Sequence, residues 1–133
     1  MKKVFIVITL LLFASALMSC AAKEKKLQES DATLLNQQDL IEIFSIKRIA
    51  SVTFKSGDAV IYYFPDGTER VAWKGGIDEG KYRIENGQFC SKWKKIRKGK
   101  EECYKVYRSG DNEFTWFKLD GSYDVTMTFK DLL

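Results

Sequence analysis

The 133-residue chain contains no histidine. That absence removes the commonest general base and the commonest metal ligand, and several enzyme classes with them. The serines at 45, 51, 56, 91, 109 and 122 therefore have no imidazole to activate them, and no G-x-S-x-G motif occurs. Charge of one sign is also scarce. There are 22 basic and 18 acidic side chains, and two of the basic ones, Lys2 and Lys3, lie in a segment expected to be removed. Net charge thus says little about partners. The chain lacks a C-x-x-C pair, a calcium-loop pattern and any internal repeat. The expectation is a protein that is not an enzyme and carries neither metal nor cofactor.

Cysteine is sparse and odd in number: Cys20, Cys90 and Cys103. In an exported protein, one of three must do a different job from the other two. The opening supplies that job. Met1-Lys2-Lys3 is followed by an uncharged run from Val4 to Met18 and then by Ser19-Cys20. This is a positive n-region and an apolar h-region, too short for a membrane span of about 20 residues. Leu17-Met18-Ser19-Cys20 resembles the lipobox of bacterial lipoproteins, in which the cysteine is acylated and the signal is cut just before it. That resemblance implies a signal peptide over 1–19, a lipid anchor on Cys20 and a place in the cell envelope. In a two-membrane organism, Ala21 after the cysteine implies the periplasmic side of the outer membrane.

Residues 20–32 carry six charged side chains and one large apolar residue, Leu27, so they read as a flexible tether. The remainder, 33–133, is one domain. At 45% hydrophobic and 14% aromatic residues, the chain has enough apolar surface for a core. Leu35, Leu40, Ile41, Ile43 and Phe44 fall at helical spacing, with Asn36 placed as an N-cap and Asp39 three residues on. One short helix is expected. Thereafter runs rich in Val, Ile, Thr, Tyr, Phe and Trp alternate with turn signals such as Pro65-Asp66-Gly67, Asn86-Gly87 and Asp120-Gly121. Eight strands follow, near 46–55, 59–64, 69–74, 80–85, 88–94, 102–108, 113–118 and 122–130. Their short connections make neighbours antiparallel. Eight such strands close into a small lipocalin-like barrel or stack as a two-sheet sandwich; the barrel is favoured.

Cys90 and Cys103 fall on adjacent strands, and pairing them sets Phe89 opposite Tyr104, Ser91 opposite Glu102 and Lys92 opposite Glu101. A structural disulfide is expected. Between the cysteines stand Lys92, Lys94, Lys95, Arg97, Lys98 and Lys100, six positive charges within nine residues. They are the candidate anion-binding residues, for anionic lipid, a polyanion or an acidic envelope protein, and their competing role is a solvated hairpin end that blocks edge pairing. Nucleic acid is not an expected partner in this compartment. Asp58, Asp66, Asp111 and Asp120 sit in turn sequences and read as turn formers.

Several motifs together resemble a family of small exported bacterial domains catalogued as domain of unknown function 995. They are the helix ending in Phe44-Ser45, Tyr62-Tyr63-Phe64-Pro65-Asp66-Gly67-Thr68, Gly80-x-Tyr82-Arg83-Ile84, Asn86-Gly87-Gln88-Phe89-Cys90-x-x-Trp93 and Glu102-Cys103-Tyr104-x-Val106-Tyr107. The resemblance implies export and a disulfide, and no activity. Two functions fit these observations: an envelope lipoprotein that binds a small ligand or an anionic partner, or an inhibitor or interaction module acting on a cell-wall enzyme.

Overall fold

The structure, a computed structural model, describes residues 24–27 and 32–130. The signal region, Cys20 and part of the expected tether lie outside the described residues. Among residues 32–130, nine strands and one α-helix follow in order: β1 (Thr33–Leu34), α1 (Gln37–Ile43), β2 (Arg48–Phe54), β3 (Gly57–Tyr63), β4 (Thr68–Trp73), β5 (Gly76–Glu85), β6 (Gln88–Trp93), β7 (Glu102–Arg108), β8 (Glu113–Lys118) and β9 (Tyr123–Phe129). Strands β2 to β9 pair antiparallel in chain order, and β9 returns to β2, closing an eight-stranded barrel. Closure removes the edges that an open sheet would expose. The sandwich alternative is not adopted.

Alternation sets the faces. Val52, Ile61, Tyr63, Val71, Phe89, Tyr104, Val106, Phe114, Trp116, Val125, Met127 and Phe129 point inward and form one core. So many large rings fill the barrel rather than leaving a wide cavity; Phe89, Phe114 and Phe129 are at most 1% exposed. Helix α1 stoppers one end. Asn36 accepts from Asp39 N while the Asp39 carboxylate accepts from Asn36 N, so the expected cap becomes a reciprocal capping box. Leu40, Ile43 and Phe44 then face the core, and the Phe44 ring meets Tyr63, Tyr82, Phe89 and Phe129 within 6 Å. Gln37 hooks the helix to the β5–β6 hairpin, donating to Ile84 O and accepting from Gly87 N. That hairpin turns through Asn86 (φ 54°) and Gly87 (φ 72°), as the Asn-Gly signal requires.

The seam between β6 and β7 is short. Only Phe89, Cys90 and Ser91 pair there, with Tyr104, Cys103 and Glu102, and Cys90 is disulfide-bonded to Cys103. This is the register the cysteines predict for those three pairs; the fourth, Lys92 with Glu101, does not form within the ladder. Beyond the seam, β1 takes over as the neighbour of β7, pairing Leu34 with Tyr107 and Thr33 with Arg108. No run of two residues carries a periodic signal, so β1 is not visible in the sequence.

The expected tether departs from its reading at 24–27, a helical turn seated on the outer wall. Its Glu24 is 8% exposed and accepts from Lys105 Nζ at 2.7 Å and from Tyr107 Oη at 2.9 Å. A charged stretch is thereby tied to the domain by polar contacts that span 81 and 83 residues of chain.

Candidate functional site

The end opposite α1 carries the β2–β3, β4–β5, β6–β7 and β8–β9 connections. Phe54, Trp73, Ile77 and Leu119 are exposed around it, together with Lys55 and Lys74 at two hairpin tips. The six basic residues predicted between the cysteines do not form one solvated tip. The chain after β6 folds back as a strap across this open end, with a 3₁₀ turn at Ile96–Gly99.

Asp78 makes the strap possible. Its side chain is 2% exposed and accepts from Lys95 N at 3.0 Å, Ile96 N at 2.9 Å and Glu79 N at 2.9 Å. Burial pushes this carboxyl up, but the three backbone N–H groups and the Lys95 charge outweigh it and hold the group below the usual carboxylate value. With the strap clamped there, Ile96 packs against the core and Arg97 turns into the barrel. Arg97 and Lys98 both take left-handed backbone, φ 53° and 55°, which ordinary residues adopt at a cost of about 1–2 kcal/mol each. Lys92, Lys94, Lys95, Lys98 and Lys100 stay exposed. Lys94 pairs with Glu79 at 3.3 Å.

Two basic surfaces result. Lys95, Lys98 and Lys100 line the rim, and Lys92 belongs to the wall, beside Lys81 across the β5–β6 ladder. Arg70, Lys81, Lys92 and Lys94 share an outer groove of about 720 Å³ with Glu79. Like charges directly opposite in a ladder repel, so the Lys81–Lys92 pair concentrates positive charge in this groove.

Inside the mouth lies a cavity of about 120 Å³ lined by rings and by Ser91, Arg97 and Asp124. Arg97 donates to Tyr104 Oη and stands 5.5 Å from the centre of that ring. Behind it Glu69, 2% exposed, accepts from Ser91 Oγ. Glu69 fits because Gly80 lies opposite it; a Cβ on Gly80 would come within 3.1 Å of Glu69 Oε1 and 2.5 Å of Lys92 O. Burial pushes the Glu69 carboxyl up to about 7, against the Ser91 bond and the Arg97 charge, which favour ionisation. Burial also raises Asp124 and the Tyr104 hydroxyl.

Glu69 and Asp78 are the site residues that sequence reading passes over. The signal was present: Glu69 alternates with Val71 on the inward face, and Asp78 with Gly80 and Tyr82. A carboxylate at such a position reads as a strand end, and β5 is accordingly predicted to begin at 80 instead of Gly76. Among the turn aspartates, Asp66 accepts from Thr68 and Asp120 from Ser122, as expected of turn formers. Cys90 and Cys103 stand near Glu101, but bonded sulfurs are not metal ligands. No family of known proteins, no curated protein and no solved structure matches this chain.

Proposed function

We propose that the protein is an envelope lipoprotein, anchored through Cys20, whose barrel meets an anionic partner with its open end. The observation that carries this reading is the division made by the Asp78 clamp. It turns Arg97 inward and leaves Lys95, Lys98 and Lys100 exposed on the strap, at the end of the barrel where Phe54, Trp73 and Leu119 are exposed as well. Among the described residues none of these three lysines has an ion-pair partner. Apolar side chains interleaved with lysine stems suit an anionic lipid surface, where rings sit at headgroup depth and ammonium groups reach phosphates. Each lysine near such a surface contributes about 1 kcal/mol, within a Debye length of roughly 8–10 Å.

The test is co-sedimentation of residues 21–133 with vesicles containing anionic lipid, across a salt series. Binding at low salt and release as salt rises is expected, and replacing Lys94, Lys95, Lys98 and Lys100 by glutamine should weaken it at least tenfold while the circular dichroism spectrum is retained. Arg97 is left in place because its charge is directed inside. Equal binding by the folded variant would reduce the rim to a solvated strand end.

A further inference from the structure

Without Arg97, the mouth of the barrel has a clear chemical character. Its walls are the rings of Tyr63, Phe89, Trp93, Tyr104 and Trp116, with Asp124 at the cavity surface. Glu69 stands one hydrogen bond behind, through Ser91. Arg97 is the one basic side chain among those lining the cavity. Rings present their negative faces to cations, and the Asp124 carboxyl among them, with that of Glu69 behind Ser91, completes a cage for positive charge.

Arg97 fills this cage imperfectly. Its guanidinium reaches the Tyr104 hydroxyl and ring, but Arg97 Nε is buried with no hydrogen-bond partner, and so is Glu69 Oε2. Each thus holds an unused polar atom, Arg97 in the lining of the cavity and Glu69 behind Ser91. The side chain enters from a strap bent through two successive left-handed residues, neither of them glycine. Its position is therefore held against a backbone preference and against incomplete hydrogen bonding.

We propose that the barrel mouth is a binding site for a small organic cation, a guanidinium or primary ammonium ion, and that Arg97 is its built-in occupant. A free ligand of this class would replace the guanidinium over Tyr104 and donate to the Glu69 oxygen that Arg97 leaves unpartnered. The strap then releases Arg97 into solvent. A cavity of about 120 Å³ admits the charged group and a few carbons and excludes a polyamine chain or a lipid headgroup. This inference rests on the interior of the barrel alone and stands or falls separately from the basic rim.

The test uses the full chain in detergent, titrated with methylguanidinium chloride and, at matched ionic strength, with sodium acetate. Arg97→Gly removes the occupant and suits the left-handed backbone. Saturable quenching of tryptophan fluorescence by methylguanidinium, at least about tenfold tighter in Arg97→Gly than in the wild type, is expected, because a tethered competitor has an effective concentration in the millimolar range. Adding Glu69→Gln should abolish it. A folded Arg97→Gly protein that shows no saturable response, or that responds equally to acetate, overturns the proposal. Should Arg97→Gly fail to fold, wild-type protein labelled with ¹⁵N-arginine decides. Methylguanidinium should move the Arg97 Nε–H resonance to the position of exposed arginines and leave those of Arg70 and Arg83 in place. An unmoved Arg97 resonance at the highest concentration titrated overturns it equally.

Discussion

Glu69 is the residue on which pH should act most strongly. Its carboxyl titrates at about 7 in the fold and at 4.5 when freed from it, so the folded state holds an extra proton between those values. Stability is therefore full below pH 4.5 and falls as pH rises toward 7. The difference corresponds to about 3 kcal/mol, the net of burial against the Ser91 bond and the Arg97 charge. Glu69→Gln keeps the shape and removes the ionisation. Denaturant unfolding across pH 4 to 8 should show a declining wild-type stability and a flatter variant, with Glu69→Gln the more stable at pH 8. Asp124, raised by burial in the same region, adds slope of the same sign that the Glu69 substitution leaves untouched. A variant with the full wild-type slope would mean that Glu69 is ionised throughout.

Among the elements, α1 and the cysteine-bearing strands make separable contributions. Phe44 projects from the end of α1 into four rings, and Phe44→Ala should cost about 3–5 kcal/mol by opening a void at the stoppered end. Asn36→Ala removes half of the capping box and should cost only about 1 kcal/mol. Thermal melts of the two variants should rank in that order. The disulfide closes a loop of 13 residues, for which the chain-entropy treatment gives about 3 kcal/mol. Replacing both Cys90 and Cys103 by serine should lower the unfolding free energy by roughly that amount with the barrel otherwise retained. These elements were legible in the sequence because each has a local mark: a cap three residues from a carboxylate, a two-residue alternation, a glycine at a turn. The cysteine register was legible because two thiols on neighbouring strands admit one antiparallel alignment. What escaped notice has no local mark. The partner of Asp78 is backbone some 17 residues away, that of Glu24 is a lysine 81 residues away, and β1 is too short to show a period. The inward turn of Arg97 escaped for the same reason, since within its own segment it is one cation among six.

At the scale of the whole molecule, the proposed anchor has its own test. Mass spectrometry of the membrane fraction should find an acylated cysteine at the N-terminus of the mature protein, with Cys20→Ala blocking processing at that position. A mature chain that begins downstream without lipid would remove the anchor and leave the barrel's binding surfaces to be tested as they stand. The Glu24 contact with Lys105 and Tyr107 ties the chain ahead of β1 to the barrel wall. Glu24→Ala should therefore increase the rotational freedom of the domain on a vesicle, read as a fall in the steady-state anisotropy of tryptophan emission.

The placement of β1 also has a mechanical meaning. The chain enters the fold past Glu24, along β7 and through α1 before it reaches the barrel wall. A pull from the N-terminus thus meets two weak links, the Glu24 contacts and the two residue pairs of β1, before it reaches the core-packed helix. The wall behind them does not share their fate, because the short β6–β7 seam that β1 extends is stitched covalently at Cys90 and Cys103. With the chain anchored as proposed, tension from the membrane reaches the disulfide-stitched wall only after the Glu24 contacts and the β1 pairs have yielded.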